Sequence, residues 1–513
     1  MSEKHKSMKR TVNRRLQINT LLAGCLVAGG CIGPDPRYVF PLAPLSVERS
    51  QGAETRSYDA DGDGKPDYRE TLDSTGRCVA LSIDVDGDGT FETQVDRSAP
   101  DAARRHLLII LDSVPYQIVQ QVRAQGRLRL FYPPQRTIAP FPVMTDPSLA
   151  EFFGVSPCQG LESMYYDGKQ LIGGIPVYLS TVNSPWLEKT DVHVPPLDHG
   201  PAYLYPGVWI DRELEAIQKR VTDTDQHRVI GYVVSSSGIG AKFGRDGHVA
   251  SLVRIDCLSH ALMRQTRGQL EITLMSDHGH NLHKSERALL ARHLWRCGWH
   301  VTDELRGPRD VVAPEFGPVS CAAIYTHSPA QVAGDAVLMD AVDLCAFNDE
   351  DGGVTVLSRD GRATIRAGVA GFSYTPEHGD PLRLSPIIER LRLDGNVTPD
   401  GFIDDQELFD ATLSHDYPDP LKRLWRAFHG LFVHTPDVLV SLREGYHVGD
   451  PEFEKWILMS SVHGNLLATG SSGFVMTTAG AIERPLRMED LGAALRKLGV
   501  PLDPPATTAG PTR

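Results

Sequence analysis

Three apolar runs constrain this chain more than any other feature: "HLLIILD" (106–112), "HRVIGYVVS" (227–235) and "EITLMSD" (271–277). Each has the length of a strand buried on both faces and is too short for an ordinary helix. Each is followed by a stretch of helical period: "PYQIVQQVRAQG" (115–126), "HVASLVRIDCLSHALMRQ" (248–265) and "SERALLARHLWRCG" (285–298). Unbroken apolar strands alternating with helices imply an α/β fold, a mainly parallel sheet sandwiched by helices. Functional groups in such sheets gather beyond the carboxyl ends of the strands. Asp112 and the adjacent pair Asp277-His278 fall there.

The texture changes between about 318 and 425. "PVSCAAIYTHSPAQVAGDAVLMDAVDLCAF" reads strand–helix, and "GGVTVLSRDGRATI" reads as a hairpin around an Asp-Gly turn. An inserted α+β subdomain is the expectation. The main sheet is expected to resume in "PDVLVSLREGYHVG" and "SSVHGNLLATGSSGFVMTT", giving one domain over 104–500 and a disordered tail over 501–513.

The chain opens with a basic head, "KHKSMKRTVNRR", and a short apolar run, "LQINTLLAG", which together have the form of an export signal over residues 1–24. "LLAGC" resembles a bacterial lipobox and points to Cys25 as the lipidated residue; "AGGC" at Cys31 is a poorer second match, and Arg14-Arg15 hints at twin-arginine export. The protein is therefore expected in the cell envelope, held to the membrane through a lipid. "CIGPDPRYVFPLAPLSV" then reads as an extended Pro-rich tether within 25–50. The net charge of −13 repels phosphate backbones, which argues against nucleic acid as a partner. Six further cysteines (78, 158, 257, 297, 321, 345) form no CxxC pair, so zinc-ribbon and thioredoxin chemistry are not indicated.

Two similar acidic stretches follow, "DADGDGKPDYRE" (59–70) and "DVDGDGTFETQV" (84–95). The first places Asp59, Asp61, Asp63, Asp67 and Glu70 at the ligand positions of a calcium loop, with Gly64 at the sharp turn. Carboxylates packed this closely repel one another unless a hard cation lies between them. The second keeps Asp84, Asp86, Asp88 and Glu92 but has Val95 in place of the final acid. The flanks read as strands, so residues 51–100 are expected to be a small β-rich segment clipped by Ca²⁺.

Asp112 in "LIILDS", Thr145 in "FPVMTDPSLAEFFG" and Asp277-His278 in "LMSDHG" need a joint explanation. Acid and imidazole together suit zinc or manganese. A threonine hydroxyl is inert at neutral pH unless a metal or a base activates it, and no base stands near Thr145 in sequence. These segments, with His463 in "SSVHGNLL", resemble the alkaline phosphatase superfamily, closest to its type I phosphodiesterase/nucleotide pyrophosphatase branch, over roughly residues 106–480. The resemblance implies that Asp112, Thr145, Asp277 and His278 surround one metal ion, with Thr145 attacking phosphorus and His463 as a late metal histidine. It implies a phosphodiesterase- or phosphatase-like hydrolase or phosphotransferase acting on a small phosphorylated substrate or an envelope component.

The sequence departs from that branch where a D-x-x-G-H motif should supply a second metal. In "YVVSSSGIGAKFG" Ser237 replaces the acid and Ala241 the histidine, so one transition metal ion (Zn or Mn) is expected rather than two. No asparagine in "QGLESMYYD" matches the branch's phosphate-binding residue. Asp246, His248, Asp256, His260, His280 and His283 lie near enough in sequence to be considered as replacements. "GIGAKFG" also approaches a dinucleotide fingerprint, but its last glycine arrives one residue late. The superfamily's lipoteichoic acid synthases and phosphoethanolamine transferases work with a Thr nucleophile and one metal, a set this chain retains. The alternative is a catalytically degenerate envelope lipoprotein of the same fold that binds a ligand or partner.

Overall fold

The computed structural model describes residues 39–503 apart from 51, 102, 452–453 and 456–458. The export signal, Cys25, most of the tether and residues 504–513 of the tail lie outside the described residues, while Leu502, expected in the disordered tail, is buried in a core beside the main sheet.

The three constraining runs form adjacent strands, Arg228–Val233, Arg105–Leu111 and Leu270–Ser276, with Arg105–Leu111 in the middle and parallel to both. The sheet continues through Ser472–Thr477, which runs antiparallel, to Gln135–Ile138 and the short Leu486–Arg487. Five of the six strands therefore point one way. Alternate residues of one strand enter different cores. Leu107, Ile109 and Leu111 pack on one face with Ile272 and Phe474, while Leu108 and Ile110 pack on the other with Ile230, Met275 and Val475. Burial on both faces is why these strands carry no polar alternation.

The first expected helix forms as Tyr116–Ala124. The second starts earlier than expected and runs Ser235–Gln265, broken at Gly244, whose φ of 59° is left-handed. "GIGAKFG" lies inside this helix and is no phosphate-binding turn. Its Gly240 permits close packing instead, because a Cβ there would meet the His248 ring. The third helix shortens to Leu290–Arg296, since Glu286–Arg287 pairs with Tyr446–His447.

The second subdomain is larger than expected. A nine-stranded sheet begins at His300–Val301 and includes Val438–Leu442, so the insertion runs beyond 318–425 at both ends. "PDVLVSL" does not rejoin the main sheet. It lies between Cys321–Thr326 and Val342–Asn348, antiparallel to both. A fully buried apolar strand looks alike in either sheet, which is why composition misassigns it. The chain returns to the main sheet with Ser472–Thr477.

The acidic segment forms a five-stranded meander, Ser46–Ser50 to Thr93–Asp96. It is not a separate clip. Tyr68, Leu72, Leu81 and Ile83 are almost fully buried and share a core with one face of the main sheet, each worth about 1.5–3 kcal/mol of transfer free energy. Arg97 and Arg104 both reach the buried Glu271 carboxylate, at 2.8 and 2.7 Å. The extended tether also ends sooner than expected: Phe40 is buried and stacks on His260, and Ser46–Ser50 is already a sheet strand. The six cysteines are free thiols. No helix among the described residues is long and apolar enough to cross a membrane.

Candidate metal and nucleophile site

Strand register builds the site. Leu111 lies opposite Ser276 in the parallel ladder, so the next residues, Asp112 and Asp277, leave the sheet side by side. His278 follows, and one ligand atom from each of the three lies within 4.8 Å of the other two. All three are buried. Thr145 is the first residue of the helix Thr145–Phe153, and its hydroxyl stands 3.3 Å from His278 Nε2. The four residues singled out from sequence are thus together.

The supporting contacts assign a role to each donor atom. His278 Nδ1 donates to the Gly279 carbonyl at 2.7 Å, which leaves Nε2 with its lone pair toward Thr145 and Asp277. Tyr232 O–H donates to Asp112 Oδ2 at 2.7 Å, and the Ser113 amide donates to Asp277 Oδ1 at 2.9 Å. The other two oxygens, Asp112 Oδ1 and Asp277 Oδ2, are buried without a hydrogen-bond partner among the described residues. Burial, and then the charge of Asp277, pushes the Asp112 carboxyl well above its usual range. Burial raises Asp277 as well, and it lowers His278 to about 4. Two buried carboxyls with one orphaned oxygen each cannot both ionise without a cation between them. Two carboxylate oxygens, an imidazole nitrogen and a hydroxyl are the donor set of a borderline divalent ion, so the residues present fit zinc or manganese.

His463 flanks this group. Its ring centroid is 4.2 Å from that of His278, and its Nδ1 donates to the Val143 carbonyl at 2.8 Å, two residues before Thr145. The Val143 amide returns a bond to Gly464 O at 3.0 Å. This pair of bonds fixes the Thr145 loop against the 463–464 loop. His463 is not one of the residues whose ligand atoms converge with Asp112.

Ser237 and Ala241 are both almost fully buried, on one face of the Ser235–Gln265 helix. Ser237 Oγ accepts from Tyr203 O–H at 3.1 Å. The six replacement candidates do not converge there. Asp246 and His283 are exposed, Asp256 accepts from the Leu128 amide, and His260 meets Tyr68 O–H. His280 bonds two serines, Ser113 and Ser461, and His248 lies beside it with no partner on either ring nitrogen.

Several residues of the cleft had no signal in the sequence. Asp146 is held by Ser184, Trp186 and Asn183 at 2.7–2.8 Å. Tyr178 O–H donates to His199 Nδ1, whose Nε2 donates to the Val194 carbonyl at 3.0 Å. Only the polar Tyr232 inside the apolar "VIGYVV" offered a local hint.

The acidic loops differ from expectation in which one is more complete. Asp59, Asp61 and Asp63 converge, but Asp67 turns to the Ala60 amide and to Arg264 at 2.6 Å, and Glu70 binds Tyr58 O–H at 2.8 Å. A strand follows the loop, and its rise of roughly 3.3 Å per residue carries Glu70 away, where an EF-hand helix would bring it back. In the second loop Asp84, Asp86, Asp88 and Glu92 all converge. There Glu92 folds back to accept from the Val85 amide at 2.9 Å.

No family model and no curated protein sequence matches the chain. Among the solved structures similar to the chain are two that align over most of it. Murine ectonucleotide pyrophosphatase/phosphodiesterase 5 is 12% identical, over 78% of this chain and 96% of that one, with a TM-score of 0.41. The human protein of the same name is 11% identical over the same shares, with a TM-score of 0.42.

Proposed function

We propose that this protein is a metal-dependent phosphoric ester hydrolase or phosphotransferase that uses Thr145 as nucleophile and one transition metal ion. The observation that carries this reading is the convergence of Asp112, Asp277, His278 and Thr145 around two orphaned carboxylate oxygens. Asp112, Asp277, His278 and the Thr145 oxygen would hold the ion. A cation there lowers the pKa of a neighbouring hydroxyl and offsets charge on phosphoryl oxygens.

The chain's own residues supply the rest. Thr145 opens a helix, so its Oγ1 sits where the first-turn amides favour an anion. Asp146, fixed by three donors, holds that first turn in place. Val143 and His463 set the loop before it. Tyr232 and the Ser113 amide each hold one oxygen of the two carboxylates and leave the other oxygen of each for the ion. Thr145 attacks phosphorus, and the resulting phosphothreonine passes the group to water or to an acceptor alcohol.

The test is a panel of chromogenic phosphomonoesters, phosphodiesters and sulfate esters, run on metal-loaded wild type and Thr145→Ala. Turnover of a phosphoric ester that the variant loses supports the reading. Absence of turnover on every ester favours a degenerate binding protein, for which the buried Ser237 and Ala241 are the relevant observation. We propose further that the protein is exported and lipid-anchored through Cys25, on the order of basic head, apolar core and cysteine, and that the two acidic loops take Ca²⁺.

A further inference from the structure

The chain joins the body of the protein at Phe40, which is 5% exposed and packs its ring on Tyr58, Tyr68 and His260 at centroid distances of 5.2, 5.1 and 4.8 Å. The backbone beyond it is held too. The Phe40 carbonyl accepts from Cys257 Sγ, Arg127 donates to the Leu42 carbonyl at 2.8 Å, and the Leu45 amide donates to the Ser57 carbonyl at 2.8 Å. Pro41 and Pro44 have no N–H to satisfy. Yet the side chains of Val39, Leu42, Leu45 and Val47 face solvent, Leu42 at 59% and Leu45 at 54% exposure. One exposed apolar residue is ordinary, but four of the eighteen large ones among the described residues fall between 39 and 47.

Where this segment comes from says what meets it. From Cys25 to Val39 the chain can span at most about 50 Å, so a lipid on Cys25 keeps the segment within that distance of a bilayer. The acidic loops lie at the same end of the N-terminal sheet. Asp59 follows Tyr58 directly, and the Asp84 amide donates to the Asp67 carbonyl at 3.0 Å. These loops present carboxylates, which anionic headgroups repel. The attraction left to the segment is that of apolar side chains for the acyl region.

Resting on the proposed lipid anchor, we infer that Val39, Leu42, Leu45 and Val47 seat in the surface of the bilayer that holds Cys25, giving the protein a second, apolar membrane contact. The contact fixes which end of the protein the membrane meets. His260, stacked on Phe40, is near the C-terminal end of the Ser235–Gln265 helix. Ser236, at the other end of that helix, donates to the Asp112 carbonyl at 2.9 Å. At 1.5 Å per residue the helix carries the metal site roughly 30 Å from the membrane contact. The cleft therefore takes its ester from the aqueous side rather than from the bilayer surface to which the protein is anchored.

The test returns the mature protein, with the lipid on Cys25 checked by mass spectrometry, to phosphatidylcholine vesicles whose acyl chains are brominated. Bromine quenches an indole only where the two touch. Leu42→Trp is compared with Leu338→Trp, a control position in the inserted subdomain that is 62% exposed. Both side chains point to solvent, so neither change disturbs a core. Relative to wild type, Leu42→Trp should add a blue-shifted emission that the brominated chains quench, and Leu338→Trp an emission that they leave alone. Adding Leu45→Asp to Leu42→Trp should remove most of the quenching. Lipidated protein in which Leu42→Trp is unquenched, or quenched no more than Leu338→Trp, overturns the contact and leaves the anchor standing. Quenching that Leu45→Asp does not change overturns it as well. A blue shift without quenching gives the face to a second copy or another protein and overturns the bilayer as its partner. A Cys25 without lipid overturns the anchor and the contact together.

Discussion

Asp112 and Asp277 leave neighbouring parallel strands in register, Leu111 opposite Ser276, and each buries one carboxylate oxygen without a hydrogen bond. Two acids placed this way oppose folding unless they are protonated or share a cation. The site therefore trades stability of the metal-free chain for a binding position.

The first prediction follows directly. Asp277→Asn removes one of the two charges while keeping an acceptor for the Ser113 amide. Metal-free Asp277→Asn should be more stable than metal-free wild type at pH 8, by about 1–3 kcal/mol in urea denaturation. Lower stability would show that the pair does not repel in the folded chain.

His248 gives a prediction about pH. Neither ring nitrogen has a partner among the described residues, and burial lowers its pKa to about 3. The folded chain then binds fewer protons here than the unfolded chain between about 3 and 6.5, so this contribution to stability is whole above 6.5 and is lost as pH falls. His248→Phe should flatten the acid side of the stability curve and leave the alkaline side unchanged. An acid limb identical to wild type would contradict this.

Glu271 joins the N-terminal sheet to the main one. Arg97 and Arg104 depend on it in a buried setting, so Glu271→Ala leaves Arg97 without its counter-charge and Arg104 with only the exposed Asp101 at 3.7 Å. The expected cost is about 3–5 kcal/mol by denaturation, with protease cleavage between 53 and 96 appearing first. A loss below about 1 kcal/mol would mean that the ion pairs do not fasten the sheet.

The acidic loops predict an order of affinity. Four carboxylates converge in the 84–92 loop and three in the 59–63 loop, so calorimetry should find the tighter Ca²⁺ site lost in Asp86→Asn and the weaker in Asp61→Asn. The reverse order, or heat unaffected by both, would count against the assignment.

How much of this was legible in the sequence depended on how local each signal was. The strands at 106, 227 and 271 and the residues at their ends were readable, because burial on both faces leaves an unbroken apolar run and the functional group follows it directly. Thr145 was readable only through its resemblance to a known segment. Val438–Leu442 was assigned to the wrong sheet, since burial of a strand does not say against what it is buried. The start of the Ser235–Gln265 helix was hidden by serine and glycine, poor helix formers that tertiary packing overrides here. Asp146 and Asn183 had no pattern at all: their meaning lies in one hydrogen bond between distant loops.

The most direct measurement of the central claim is transition-metal content per chain by elemental analysis, on wild type, Asp277→Ala and Thr145→Ala purified in parallel. The proposed site predicts one tightly held transition ion in wild type. Asp277→Ala should hold none, and Thr145→Ala should retain most of it while losing ester turnover. Two ions in wild type, or one ion unaffected by Asp277→Ala, would contradict the account.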